Sequence, residues 1–263
     1  MAQNSKIEWT KHTANLWHGC TRVHEGCDNC YANTISKRWG NDIWGNDKPR
    51  KEIKSFWNDL VKYQKLAEEV GEFHSVFVGS MMDIFEKPMP LIDSKGKALD
   101  HRTDDLRQHF FEKIETTPNL NFLFLTKRPS NINKYIPEHW KHHPPDNVMF
   151  GTSPVNQQTC DTLIPQLLKV NGKRFLSVEP QLERVDIGKY LNKTVHLPGC
   201  DNEGGIDWVI QGGESGPHKR PFDIDWAYDL RMQCKTAGVP YFFKQIDKVQ
   251  PIPEDLMIRE FPF

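Results

Sequence analysis

Short runs of apolar, β-branched and aromatic residues recur along the chain and alternate with longer stretches of helical periodicity. Residues 75–78, 121–125, 148–150, 174–177, 208–210 and 241–243 read as strands, each followed by polar or glycine residues, and residues 14–17 read as the first. Between them, Leu106, Phe110 and Ile114 recur at helical spacing, and Cys160, Leu163, Leu167 and Leu168 share one helical face. Trp226, Leu230 and Cys234 form a third stripe, stopped by Gly238 and Pro240. Alternation of strand and helix patterns is the signature of βα units around a parallel sheet. Seven strands predict an α/β fold, a partial or full (β/α) barrel in a single domain over 1–263, with a loop insertion around 186–205.

Composition narrows this picture. A chain of 263 residues, 37% hydrophobic, is long enough to bury a sizeable core. With 34 Lys and Arg against 35 Asp and Glu, the formal net charge is −1, so no global basic field draws the chain onto nucleic acid. Any such binding must come from a local patch, and Lys37-Arg38-Trp39 and Lys48-Pro49-Arg50-Lys51 are the candidates, set against a plain solvated face. The polar opening, Met1 to Lys6, carries no signal-peptide pattern, and no apolar run approaches membrane-spanning length. A cytoplasmic protein with no membrane partner is expected, in a compartment where close cysteines point to metal or catalysis rather than disulfides.

Cys20, Cys27 and Cys30 read C-x6-C-x2-C. Three thiolates are one short of a closed zinc site, so the run suits either zinc with His18 or His24 as a fourth ligand, or an iron–sulfur cluster with one open iron. Spacing alone leaves both open. Cys160 and Cys234 read as core residues, and Cys200 falls in the Gly- and Asp-containing stretch 198–205, which reads as a surface loop.

In parallel sheets, chemistry gathers where strands end. The residues that follow the predicted strands are the cysteine run, Ser80 to Asp83, Thr126-Lys127-Arg128, Gly151-Thr152-Ser153, Glu179-Pro180, Gln211 to Gly216, and Lys244-Gln245. Lys127, Arg128 and Lys244 suit a carboxylate or phosphate, and Glu179 and Glu214 suit an amine or ribose hydroxyl. These charges, with Glu179, are the candidate catalytic residues, each with an ordinary alternative as a turn or helix cap. Gly212-Gly213 would let backbone approach a ligand closely. No G-x-G-x-x-G or Walker motif is present.

Several blocks occur together in order: Ile7-Glu8-Trp9, Trp17-His18-Gly19-Cys20, Gly26-Cys27-Asp28-Asn29-Cys30-Tyr31-Ala32, Ser80-Met81-Met82-Asp83-Ile84-Phe85, Leu125-Thr126-Lys127-Arg128-Pro129, Leu176-Ser177-Val178-Glu179-Pro180, Trp208 to Gly216, and Phe242-Phe243-Lys244-Gln245. On these the chain resembles a phage and prophage family of three-cysteine-motif proteins, regarded as similar to radical S-adenosylmethionine enzymes. The resemblance implies a barrel of radical-SAM type in which Cys20, Cys27 and Cys30 ligate a [4Fe–4S] cluster. It also implies reductive cleavage of S-adenosylmethionine to a radical, chemistry that belongs to the cofactor. The wider enzymes space the cysteines C-x3-C-x2-C and place a Gly-Gly-Glu element after the second strand. Here Ser80 to Asp83 stands at that place, so Asp83 is the positional candidate for the cofactor's amino group, and Gly212, Gly213 and Glu214 remain cofactor or substrate ligands. A three-cysteine-motif partner protein and a nucleotide, nucleic-acid or modified-base substrate are implied by the same likeness. The alternative, from another class, is a zinc-stabilised nucleic-acid- or protein-binding module without catalysis.

Overall fold

The computed structural model describes residues 2–191 and 205–263. Its strands are β1 (Ala2–Gln3), β2 (His12–Ala14), β3 (Trp17–His18), β4 (Arg50–Glu52), β5 (His74–Val78), β6 (Pro90–Ile92), β7 (Ala98–Arg102), β8 (Leu120–Thr126), β9 (Val148–Thr152), β10 (Lys173–Val178), β11 (Trp208–Gly212) and β12 (Tyr241–Gln245). The α-helices are α1 (Tyr31–Arg38), α2 (Phe56–Val70), α3 (Thr103–Ile114), α4 (Ile132–Tyr135), α5 (Gln157–Leu167), α6 (Gly188–Leu191) and α7 (Ile224–Ala237).

The large sheet runs β1-β2-β5-β8-β9-β10-β11-β12. From β2 onward every neighbouring pair is parallel. Spatial order equals chain order, so each crossover advances one strand in the same direction and the sheet curls as an open half-barrel of seven parallel strands. The strands alternate in and out. Val78, Phe124, Phe150, Val178 and Phe243 join the main core under the helices. Phe77, Leu123, Met149, Phe175, Trp208 and Phe242, with Trp9, form a second cluster inside the curl.

Six predicted strands lie where expected, and the first is corrected. β2 ends at Ala14, and Trp17 leaves the large sheet to pair with Glu52 in a second sheet, β3-β4-β6-β7. The physical reason is burial: Leu16 and Trp17 sit in the core beneath that small sheet, so their apolar run belongs to a different surface from that of β2. The polar β4 and β7 carry no apolar alternation that would have announced them.

The three helical stripes fall on α3, α5 and α7, and α7 stops at Gly238 in the left-handed region. Cys160 and Cys234 are wholly buried core residues, and burial pushes each thiol up to about 12. Cys200 and most of the expected insertion lie outside the described residues. No helix among the described residues is long and apolar enough to cross a membrane.

Candidate functional site

The cysteine run starts where β2 releases the chain at the carboxyl end of the sheet. Asn15 braces this exit, its Nδ2 donating to Ser80 Oγ (2.8 Å) while its Oδ1 accepts from the Met81 N–H (2.7 Å). Gly19 has φ +112, and a Cβ there would strike the Ile43 carbonyl, so the turn into Cys20 requires glycine. A 3-10 turn spans Glu25–Cys27, and Cys30 caps α1. Gly26 lies flat on the loop after β9, where a Cβ would stand 2.6 Å from Val155 Cγ1.

Glu214 holds the run from the far side of the sheet. Its Oε2 accepts from Asn29 Nδ2 (2.8 Å), and both its oxygens pair with Arg220, whose NH2 also donates to the Glu25 carbonyl (3.1 Å). Burial opposes the charge on Glu214, but the bonds from Arg220 and Asn29 win and hold its carboxyl below the usual range. The Gly-Gly-Glu element thus clamps the loop between the second and third cysteines. Gly213 has no room for a ligand: its missing side chain admits the chain's own Ile246 carbonyl and the Phe222 ring.

Beneath Cys20 lie the buried Arg50, the partly buried Arg128 and two buried carboxylates. Arg50 is 0% exposed and pairs with Glu86 through two bonds of 2.8 and 2.7 Å while donating to the Ile43, Gly45 and Lys48 carbonyls. Arg128 pairs with Asp83 (2.6 Å), donates to the Thr21 carbonyl (2.8 Å) and reaches Cys20 Sγ at 3.9 Å. Asp83 also accepts from the Thr126 hydroxyl and the Phe85 N–H, so the positional candidate for a cofactor amino group is committed to the protein's own donors in this state. Burial, with Asp83 and Glu86 close by, pushes the Cys20 thiol up to about 12, and Arg128 offsets only part of this. A metal must therefore displace a proton that Cys20 holds firmly at neutral pH.

The strand alternation points Lys127, Ser153, Glu179 and Lys244 into the mouth of the curl. Glu179 and Lys244 form an ion pair. The Lys127 ammonium makes no ion pair among the described residues, and Ser153 Oγ is buried without a hydrogen-bond partner. Thr126 pairs with Thr152 in register, so Lys127 and Ser153 follow on neighbouring strands. Tyr31 stands across from them, 48% exposed, its hydroxyl donating to the Ser80 carbonyl (2.8 Å), and burial pushes its phenol up.

Cys20, Cys27 and Cys30 are all free and partly accessible, so the donor set suits a thiophilic metal or cluster. Their present spacing is not a ligand set: among the described residues no three His, Cys, Asp or Glu side chains stand close enough to hold a metal ion. His18 stacks on Trp39 and His24 accepts the Gly26 N–H through Nδ1 (3.1 Å); burial lowers each to about 4 and keeps both neutral.

The structure gathers the cysteines, Asp83, Arg128 and Glu214 around one loop, and Lys127, Glu179 and Lys244 in the adjoining mouth. Sequence reasoning missed Arg50, Glu86, Asn29 and Arg220, since nothing in a run such as Lys48-Pro49-Arg50-Lys51 distinguishes a buried cation from a solvated one. Residues 4–255 match the family described as protein of unknown function (DUF5131). No curated protein and no solved structure matches the chain.

Proposed function

The chain belongs to that family of unknown function, DUF5131, and we propose that it is an iron–sulfur enzyme of radical S-adenosylmethionine type, in keeping with its resemblance to the phage three-cysteine-motif proteins. The observation that carries this reading is the placement of three free, partly exposed cysteines on the segment after the first parallel strand of a half-barrel, at the mouth where the other strand-end charges point. Cys20, Cys27 and Cys30 would hold the cluster, leaving one iron for the amino and carboxylate groups of S-adenosylmethionine. When bound, the cluster supplies an electron that cleaves the cofactor and starts radical chemistry.

The chain's own residues have definable parts. Arg128 and Asp83 position Cys20, and Arg220, Glu214 and Asn29 tether the turn from Cys27 to Cys30. Of the candidate cations, Arg128 and Lys244 are neutralised by carboxylates, which leaves Lys127 to receive an anionic group, with the Ser153 hydroxyl beside it. The Glu179 and Lys244 pair presents a net-neutral donor and acceptor to the substrate. A nucleotide or a modified DNA base is the substrate class in keeping with the resemblance.

Anaerobic purification, followed by iron, sulfide and zinc analysis and a visible spectrum with and without S-adenosylmethionine, tests the reading. The expected result is a [4Fe–4S] chromophore that shifts with the cofactor and yields 5′-deoxyadenosine on reduction. Cys20→Ala, Cys27→Ala and Cys30→Ala should each abolish chromophore and cleavage. One zinc per chain and no iron after reconstitution would replace the enzyme by the zinc-stabilised binding module.

A further inference from the structure

Helix α1 follows the third cysteine directly. Its sequence, Tyr-Ala-Asn-Thr-Ile-Ser-Lys-Arg, carries two cations in the last turn and no carboxylate. Tyr31, Thr34 and Arg38 fall at positions i, i+3 and i+7, so they line one stripe, and all three are exposed, as is Lys37. Neither Lys37 nor Arg38 makes an ion pair among the described residues, whereas neighbouring Lys48 is paired with Asp42.

Trp39 ends the stripe. It is 59% exposed, and its backbone N–H caps α1 by donating to the Ile35 carbonyl. One side of the indole is braced by His18, with ring centroids 5.9 Å apart and planes 25° from parallel. Most of the ring's surface stays in water beside this contact. Tyr31, at the other end of the helix, is held by its hydroxyl on Ser80 with its ring half exposed. The rise of the helix places the backbones of Tyr31 and Trp39 about 12 Å apart along its axis.

We infer that α1 and Trp39 form a docking surface for single-stranded nucleic acid, with bases stacking on Trp39 and Tyr31 and phosphates paired to Lys37 and Arg38. Two partly exposed aromatic rings, each held by a contact to the fold, beside cations that make no ion pair among the described residues, are what sequence-tolerant single-strand binding needs. A cationic strip without carboxylates, on a chain whose formal net charge is −1, is complementary to a phosphate backbone and to little else on a neutral surface. Duplex would present phosphates but hide its bases from the rings, so the surface selects single strands. The surface borders the cysteine loop, and a strand lying on it would present a neighbouring nucleotide to the mouth. It does not depend on which metal the cysteines hold.

The test is fluorescence anisotropy of the full-length protein with fluorescein-labelled oligothymidylate of about 20 nucleotides, and with a duplex of equal length, between about 50 and about 200 mM salt. Single-strand binding that is tighter than duplex binding and falls with salt is expected. Trp39→Ala should weaken it about tenfold or more, with Trp39→Phe losing less. The double variant Lys37→Ala, Arg38→Ala should lower the slope of log affinity against log salt by about 1.4, two single-strand phosphates' worth. Absence of binding, preference for duplex, or equal affinity in wild type and Trp39→Ala would overturn the inference. Metal analysis of the same preparations separates this from the enzyme reading: a zinc protein that still binds strands retires the enzyme alone, and an iron protein that binds none retires the docking surface alone.

Discussion

Arg50 illustrates how a single side chain can carry a structural load that its sequence context hides. It lies in a basic run that reads as a nucleic-acid patch, yet its guanidinium is completely buried and makes bonds to Glu86, to Thr21 and to three backbone carbonyls. Removing one partner of such a pair strands the other charge in low dielectric, which costs about 3–5 kcal/mol. Arg50→Ala is therefore expected to lower the urea midpoint of the protein by a corresponding amount, whereas Lys51→Ala, on the same run but half exposed, should leave it almost unchanged. Equal small effects from the two substitutions would mean that the buried network carries no stability. The cysteines were legible at this scale because reactive residues at close spacing have few other uses. The arginines beneath them were not, because a charge takes its meaning from the carboxylate that the fold brings to it.

At the scale of elements, the parallel strands were legible because both faces of each are buried, giving short apolar runs with sharp polar ends. The small second sheet was hidden by its polar composition. Helix α2 was readable in principle, since Phe56, Leu60, Tyr63 and Ala67 keep helical spacing and Gly71 closes it in the left-handed region. Where β2, β5 and α2 meet, His12 stacks on Tyr63 with centroids 4.0 Å apart and its Nε2 lies 3.0 Å from His74 Nδ1. Burial, then the neighbouring His74, lowers His12 to about 4. Between its ordinary value near 6.5 and about 4 the unfolded chain binds a proton that the folded chain refuses, so stability is full above that window and falls as pH drops through it. The slope approaches about 1.4 kcal/mol per pH unit for one such histidine. Urea unfolding at pH 7 and pH 5 should show this loss in the wild type and a smaller one in His12→Gln; identical losses would place the acid sensitivity elsewhere.

A half-barrel differs from a closed one in having a seam, and the way this molecule treats its seam separates its lower end from its mouth. An uncovered edge strand invites pairing with other chains. Here the segment after residue 256 covers β12: the Phe243 N–H donates to the Ile258 carbonyl (3.1 Å), the Glu260 N–H to the Tyr241 carbonyl (3.2 Å), and Trp208 Nε1 to the Glu260 carbonyl (2.9 Å). Arg259 lies over the Phe242 ring and pairs with Glu8 at 3.2 Å, joining the two chain ends across the gap, and Phe261 packs on Trp208 and Phe242. The aromatic contacts lie on Trp208 and Phe242 of the cluster inside the curl, near the amino ends of β11 and β12, whereas the cysteine run leaves β2 at its carboxyl end. The lower end is thus a closed structural plug while the strand-end mouth stays accessible. Removing residues 257–263 should therefore cost about 2 kcal/mol from partly buried aromatic surface and lost edge bonds, a fall of about 4–8 °C in Tm for a chain of this size, with increased binding of an apolar dye. The reactivity of Cys20, Cys27 and Cys30 toward a thiol reagent, and their metal content after reconstitution, should stay at the wild-type level. Loss of metal binding in the truncated protein, at a temperature where circular dichroism finds it folded, would mean that plug and mouth are one cooperative unit.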